Sequence, residues 1–458
     1  MGSVAATDSV VSKEHNSQTN TDLYPEGSIS TSALLQEAST SLIRPGGAFL
    51  PLIVTRASGV FVYTADGHRI LDFTSGQMSC LIGHGHPEIV NTITAHAAQL
   101  DHLFSGMLSP PVLNLAERLM ATLQGTGLDK TMFLSTGGEA NEAAIKMAKL
   151  YTGKWEIVGL GGSWHGMTDA ARGATMPGNL FLPTPNGYRS RFRHPDGSYD
   201  WEAELDYGWS MVDQISTGSL AAVIIEPILS SGGMLVLPPG YMAAMKRHCR
   251  KREMLLIVDE AQTAIRCGDM YAFQHPDNGG TIPDILTLSK TLGNGIPLSA
   301  VVTTSAIESI CAERGFLFYT THLNDPLPAA VGAKVLEIVQ RDNLVVKSRE
   351  LGQKLHARLR SLQEMYLCIG DVRGRGLMAG VEIVSDRQAK TPGFELGKAL
   401  SERMYELGLS ANLAVMPAFG GVFRIAPPIT ITEEELMMGL DIMEEAFRTT
   451  VGTRLDGK

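Results

Sequence analysis

The chain alternates short, wholly apolar runs with helical stretches, and that alternation limits its fold more than any other feature. Ile157-Val158-Gly159-Leu160, Ala221 to Ile225, Leu255 to Val258, Ile285 to Leu288 and Ala300-Val301-Val302 are too short for buried helices and carry no polar face. Strands without a polar face are covered on both sides, which predicts an α/β fold with a largely parallel sheet between helices. Met132-Phe133-Leu134 reads as a further strand, leading into a helix with Ala140, Ala143, Ala144, Met147 and Ala148 on its inner face. Upstream, Val60 to Tyr63 and Ile70 to Phe73 flank a turn at Asp66-Gly67 and read as a hairpin. From about residue 330, a long helical stretch, strands near 377–384 and 422–426, and a last helix near 433–447 form a separate, smaller α+β unit.

Composition narrows the function. At 458 residues the chain can bury a large core without disulfide or metal staples. Its 38 basic against 48 acidic residues give a net charge of −10, which argues against an electrostatic binder of nucleic acid or anionic membrane. Cys80, Cys249, Cys267, Cys311 and Cys368 are odd in number and form no C-x-x-C pair, as in a reducing compartment and not a thiolate zinc site. No apolar run reaches the roughly 18 residues of a membrane span. Residues 1–31 are rich in Ser, Thr, Asn and Asp, with Lys13 but no arginine before Arg44, and read as a disordered tail and not a targeting peptide. A cytoplasmic protein is expected.

Ligands of open α/β sheets gather at the carboxyl ends of strands, and four such ends carry informative residues. Leu134-Ser135-Thr136-Gly137-Gly138-Glu139 puts paired glycines at a strand-to-helix turn, where backbone N–H groups can meet an anion. Thr136 and Glu139 equally spell a capping box, which needs no ligand. Asp259, ahead of Glu260-Ala261-Gln262, either caps locally or keeps a ring nitrogen protonated. Lys290, before Thr291-Leu292-Gly293-Asn294-Gly295, is either solvated or a desolvated, imine-forming amine. In Gly162-Ser163-Trp164-His165-Gly166 the indole is either core or a platform for an aromatic cofactor, and His165 alone says little.

In this order, an anion turn, a stacking aromatic, a strand-end Asp and a strand-end Lys suit a phosphorylated pyridine aldehyde. The chain resembles the fold-type I, class III pyridoxal-phosphate aminotransferases, through Asp259-Glu260-Ala261-Gln262-Thr263 and Thr287-Leu288-Ser289-Lys290-Thr291-Leu292-Gly293. Within that class it is most similar to the bacterial 2,2-dialkylglycine decarboxylases, or dialkylglycine aminotransferases, from about residue 42 to 448. The stretches carrying this are Leu71 to Ser79, Leu100 to Ser109, Ile225 to Gly233, Phe318 to His322 and Gly421 to Pro428.

The resemblance implies a large coenzyme domain over 76–330 and a small domain built from both chain ends, 32–75 and 331–458. It implies pyridoxal 5'-phosphate joined to Lys290, with Asp259 on the ring nitrogen, Gln262 on the ring oxygen and Trp164 on the ring face. Thr136, Gly137 and Gly138 would hold the phosphate, and Asn141 and Glu226 belong to the same coenzyme set. Thr321 would reach the phosphate of the neighbouring subunit, which implies a homodimer, or a tetramer of two dimers. The implied reaction is decarboxylation-coupled transamination of α,α-disubstituted amino acids, giving CO2 and a ketone and passing the amino group to a keto acid such as pyruvate. Gln77 would hold the departing carboxylate beside Lys290, as a neutral amide that orients it without stabilising its ground state as an Arg would. The keto-acid carboxylate would dock on the Arg424 fork, with Trp164 and Ser231 lining the substrate. Two other readings stay open: an ordinary ω-amino-acid or amine transaminase without decarboxylation, and a non-enzymatic scaffold.

The family also binds alkali-metal ions (K+ or Na+), and Leu103, Ser105, Thr321, Leu323 and Asp325 match its activating site as oxygen donors. A second ion site, at a Thr-Pro-Pro turn in the family, does not carry over to Thr122-Leu123-Gln124-Gly125-Thr126-Gly127. The chain departs from the class at Thr263-Ala264-Ile265-Arg266-Cys267-Gly268-Asp269, which replaces a longer glycine-rich loop, and at a shortened segment between Arg172 and Pro185. Ala264 and Ile265 disfavour positive φ, so this loop is expected to take another path.

Overall fold

The computed structural model describes residues 23–24, 30–46, 49–172, 179–416 and 420–452. Most of the expected tail, and part of the shortened segment after Arg172, lie outside the described residues. The chain divides into two units, one of residues 1–56 with 63–68 and one of residues 57–62 with 69–458. The first holds helix α1 (Thr31–Ser41), which buries no residue and is capped by Ser30.

The second unit centres on a seven-stranded sheet. After β1 (Arg69–Asp72), which lies outside this sheet, its strands in chain order are β2 (Lys130–Leu134), β3 (Glu156–Leu160), β4 (Leu180–Leu182), β5 (Leu220–Ile225), β6 (Leu255–Asp259), β7 (Ile285–Leu288) and β8 (Ser299–Thr303). Their spatial order is β2-β8-β7-β6-β5-β3-β4. Strands β5, β6, β7 and β8 are buried along their whole length, as their largely apolar sequences require. Pairing is parallel except at β8, which runs antiparallel to both neighbours. Two antiparallel steps restore direction, so β2 points the same way as β7. The carboxyl ends of β2, β3, β5, β6 and β7 therefore share one edge of the sheet.

Helices α3 (Pro87–Ala97) and α4 (Pro110–Thr122) precede β2, and α6 (Trp201–Ile215), α7 (Tyr241–Arg252) and α8 (Ser305–Glu313) come later in the chain. Helix α5 (Gly137–Thr152) crosses the sheet on an alanine-rich face, Ala140, Ala143, Ala144 and Ala148 being fully buried, and ends at Gly153 in the left-handed region. The smaller sheet is antiparallel, with β9 (Ile369–Arg375), β10 (Met378–Asp386), β12 (Asn412–Met416) and β13 (Gly420–Ile425) in the order β9-β10-β13-β12. β11 (Leu409–Ser410) instead pairs parallel with β1, Leu409 opposite Leu71. The helical stretch expected from residue 330 is two helices, α9 (Pro326–Arg341) and α10 (Leu344–Met365), broken where Asn343 takes φ +51°.

One expectation fails in the loop after β6. Ile265 does adopt positive φ, +70°, a marked outlier for a β-branched residue. Tertiary contacts impose it: the carbonyl of Arg266 accepts from Leu377 N at 3.0 Å, and Arg349 donates to the Gly268 carbonyl at 2.7 Å. No helix among the described residues is long and apolar enough to cross a membrane.

Helix α10 meets the turn at Gly376 through close backbone approach at Gly352, with His356 Nε2 3.1 Å from the Gly376 carbonyl. A Cβ on Gly352 would lie 2.4 Å from the Gly376 carbonyl carbon, and one on Gly376 would lie 2.4 Å from the Cys267 carbonyl carbon. Neither neighbour is a side chain that can swing aside. Gly352→Ala should therefore lower stability by about 1–3 kcal/mol despite the better helix propensity of alanine. A denaturant midpoint at or above the parent's would show that this contact is looser than described.

Candidate active site

The shared edge of the sheet gathers the candidate residues of five strand ends. Asp259 closes β6 and is buried. Its Oδ2 accepts from His165 Nδ1 at 2.9 Å and from Asn141 Nδ2 at 2.8 Å, and its Oδ1 accepts from Ala261 N at 3.0 Å. Burial alone would raise its pKa. The hydrogen bond and charge of His165, with the bonds from Ala261 and Asn141, outweigh burial and hold it below the usual carboxylate value. An ionised carboxylate only accepts, so the proton of this pair sits on His165 Nδ1. Asn141 is pinned in turn, since it also donates to the His165 carbonyl and accepts from Thr287 Oγ1 at 2.7 Å.

The capping box on α5 is real. Thr136 Oγ1 accepts from Glu139 N, and Glu139 Oε2 accepts from the N–H groups of Ser135 and Thr136. Helix geometry leaves the N–H groups of Gly137 and Gly138 without intrahelical acceptors. Gly137 and Gly166 serve close approach. A Cβ on Gly137 would sit 3.3 Å from Ser289 Cβ, and one on Gly166 would sit 2.8 Å from Gly138 Cα. Side chains there would fill the space between the helix start, the Trp164 turn and the Lys290 turn.

Lys290 follows β7 with φ +25°. Burial holds its ammonium below the ordinary value, against the pull of Asp259 and Glu226 and helped by Arg424. Glu226, past β5, is buried and accepts from Trp164 N at 2.8 Å and Ser230 N at 3.3 Å. Ser230 Oγ donates to Gln262 Oε1 at 2.7 Å, fixing the side chain of Gln262. Trp164 itself is 49% exposed, which excludes the reading of it as core. Arg424, on β13, donates to Asn412 Oδ1 through Nε (2.9 Å) and one terminal nitrogen (2.6 Å), and its other terminal nitrogen lies 3.4 Å from Ser231 Oγ. None of these acceptors is a carboxylate.

Gln77 lies exposed on a short, irregular turn, α2 (Ser75–Met78), which packs against the Lys290–Leu292 turn. Ser75, Gly76 and Met78 all have positive φ, of +45°, +66° and +58°. Asp72 enforces this shape, accepting from Thr74 N at 2.9 Å and Gly76 N at 2.7 Å, with His84 Nε2 at 2.9 Å on the same carboxylate.

The metal candidates and Thr321 fall elsewhere. Thr321 is exposed on the turn before α9, and Leu323 is buried beside it. Asp325 has both carboxylate oxygens occupied, one by His102 Nδ1 at 2.6 Å and one by His322 Nδ1 at 2.5 Å. Leu103 and Ser105 follow His102 in a half-exposed linker. Sequence reasoning gave His165 no weight and missed Asn412 and Arg266. A lone histidine carries no signal when its partner lies far along the chain.

A carboxylate kept ionised, a desolvated amine, an exposed indole and free helix-start N–H groups around one space are the donor set for a phosphorylated pyridine aldehyde. The comparisons agree. The sequence profile described as "Aminotransferase class-III" matches residues 43–447. An uncharacterized aminotransferase of Schizosaccharomyces pombe is 50% identical over 426 residues, covering 90% of this chain and 94% of that protein. The 4-aminobutyrate aminotransferase of Mycobacterium tuberculosis is 32% identical over 430 residues, with the same coverage of 90% and 94%. Among solved structures, a PLP-bound amine transaminase from an uncultivated Pseudomonas species superposes with a TM-score of 0.80 at 27% identity, covering 90% of this chain and 99% of that one. The chain belongs to the class III aminotransferases.

Proposed function

We propose that this chain is a pyridoxal-phosphate-dependent transaminase that moves an amino group between a small carboxylate-bearing amino acid and a keto acid. The observation that carries the reading is the pairing of a desolvated Lys290 with an Asp259 held ionised at the adjacent strand end. Lys290 would carry the coenzyme. Thr136 and the N–H groups of Gly137 and Gly138 would hold its phosphate, Trp164 its face, Gln262 its ring oxygen and Asp259 its ring nitrogen. Bound there, the coenzyme supplies an electron sink for a bond to the substrate Cα. An ionised Asp259 would keep that sink positively charged, because a carboxylate stabilises a proton on a neighbouring ring nitrogen. Lys290, its ammonium disfavoured by burial, would be a neutral amine once the substrate amino group had displaced it, and would then be placed to take the proton from the substrate Cα. Arg424 orients the substrate carboxylate with a fork already aligned by Asn412. The names of the relatives above, 4-aminobutyrate aminotransferase and amine transaminase, support plain amino transfer.

A second reading, decarboxylation-coupled transfer from α,α-disubstituted amino acids, is favoured by one observation: Gln77 is presented on a forced turn packed against the Lys290 turn. In that reading Gln77 holds the carboxylate that leaves as CO2. We also read the protein as a homodimer in which Thr321 completes the neighbouring site, supported by the exposed Phe104, Met107, Leu108 and Tyr319. Residues 32–75 with 331–458 would form its small domain and 76–330 its coenzyme domain. An alkali-metal ion at Asp325 would share the carboxylate with His102 and His322, each of which sits on one of its oxygens.

The holoenzyme should transfer the amino group of amino acids bearing a Cα hydrogen to pyruvate or another keto acid, and release no CO2. CO2 from 2-aminoisobutyrate, lost in Gln77→Ala, would establish the second reading instead. Arg424→Lys should raise KM for carboxylate substrates about 10- to 100-fold, the loss of about 1.5–3 kcal/mol of charged hydrogen bonding. An unchanged KM would remove Arg424 from the substrate site.

The buried acid of the site also sets a stability signature. Burial, with the Asp259 charge adding, raises the Glu226 carboxyl from 4.5 to about 7. Between those values the folded chain keeps a proton that the unfolded chain has released. The stabilisation is complete below pH 4.5 and is lost as pH rises to about 7. Coenzyme-free Glu226→Gln should therefore lose less stability than the parent across this window. Parallel stability–pH curves for the two would mean that Glu226 titrates normally.

A further inference from the structure

Arg266, in the loop that departs from the family pattern, is fully buried. Its guanidinium donates to the carbonyls of Ala426 (3.0 Å) and Pro427 (2.5 Å) through one nitrogen and to Ser75 Oγ (3.1 Å) through another. Ser75 Oγ closes the triangle by donating to the Ala426 carbonyl at 2.8 Å. No acceptor among the described residues is a carboxylate, and Nε has no partner. Burial pushes its pKa down to about 10, with Cys80 and Asp72 opposing, so the side chain remains cationic at neutral pH. An unpaired buried cation is a poor choice for stability alone, since an apolar side chain of similar volume is commonly as stable or better.

What the cation joins is informative. Ser75 lies two residues before Gln77, and Ala426 lies two residues after Arg424. The fork thus ties together the two segments that carry the carboxylate-facing side chains. Its own backbone is fixed from behind, because the Arg266 carbonyl accepts from Leu377 N and from Ser348 Oγ, and Gly376 packs directly on it. Ile265, next to Arg266, and Ser75 and Met78, around Gln77, all take positive φ.

We infer that Arg266 is a positioning residue that fixes the separation of Gln77 and Arg424, and so sets how tightly the site holds a substrate carboxylate. The inference rests on the carboxylate-binding roles proposed above, that of Arg424 in the main reading and that of Gln77 in the second. A planar, multiply donating fork does this, whereas a lysine in its place is a point charge that cannot span three acceptors.

The test compares parent, Arg266→Lys and Ser75→Ala holoenzymes on an amino acid and on an amine of similar size without a carboxylate. Coenzyme absorbance is recorded for each protein. Arg266→Lys should raise KM for the amino acid about tenfold or more, leaving kcat, the absorbance spectrum and KM for the amine within about twofold. Ser75→Ala should shift KM the same way by less, and it decides alone if Arg266→Lys does not fold. Equal losses on both donors, or no shift on either, would overturn the inference. A parent indifferent to the substrate carboxylate would sink the reading beneath it, and this inference with it, before any variant is made.

Discussion

The site depends on keeping one carboxylate ionised in a place that disfavours charge. Asp259 sits at the end of a fully buried strand, where desolvation alone would protonate it. Three donors prevent this, and each comes from a different element: His165 from the turn after β3, Asn141 from the first turn of α5, and Ala261 from its own loop. Moving any of these elements would leave a buried charge underpaired, at a cost of several kcal/mol. The sheet, α5 and the Trp164 turn are therefore held in mutual register by the same contacts that prepare Asp259. The adjacent Glu260 shows the contrast: it accepts from Ala272 N, Phe273 N and Thr263 Oγ1, yet burial raises it to about 7.

Close approach does the rest. Gly137 and Gly166 let the helix start meet the Lys290 and Trp164 turns with no side chain between them. Strain appears where reactive or binding side chains are presented, with positive φ at Lys290, on both sides of Gln77, and at Ile265 before Arg266. Such conformations persist only where surrounding contacts over-determine them. Asp72 supplies those contacts for the Gln77 turn.

Much of this was legible in the sequence. The apolar runs emerged as buried strands because nothing in them tolerates water, and the strand-end residues marked the working edge because five strands point the same way. The capping box was read correctly and still left two glycine N–H groups free. Other features were hidden for physical reasons. β9 carries Asp371, Arg373 and Arg375 and is only half-buried, so its pattern is not that of a core strand. Asp342-Asn343 could have been read as a helix stop, since Asn tolerates the left-handed region. His165 and Arg266 act through partners distant in sequence, 94 residues away for the Asp259 bond and 191 for Ser75. Ile265 contradicted a sound local rule because tertiary contacts outweighed its backbone preference.

Borohydride reduction of the protein after incubation with pyridoxal phosphate, followed by peptide mapping, decides whether Lys290 carries the coenzyme, because it fixes an aldehyde onto the amine with which it has condensed. One phosphopyridoxyl group per chain is expected, on the peptide containing Lys290, and none there in Lys290→Ala. Labelling spread over surface lysines with Lys290 unmodified would contradict that assignment.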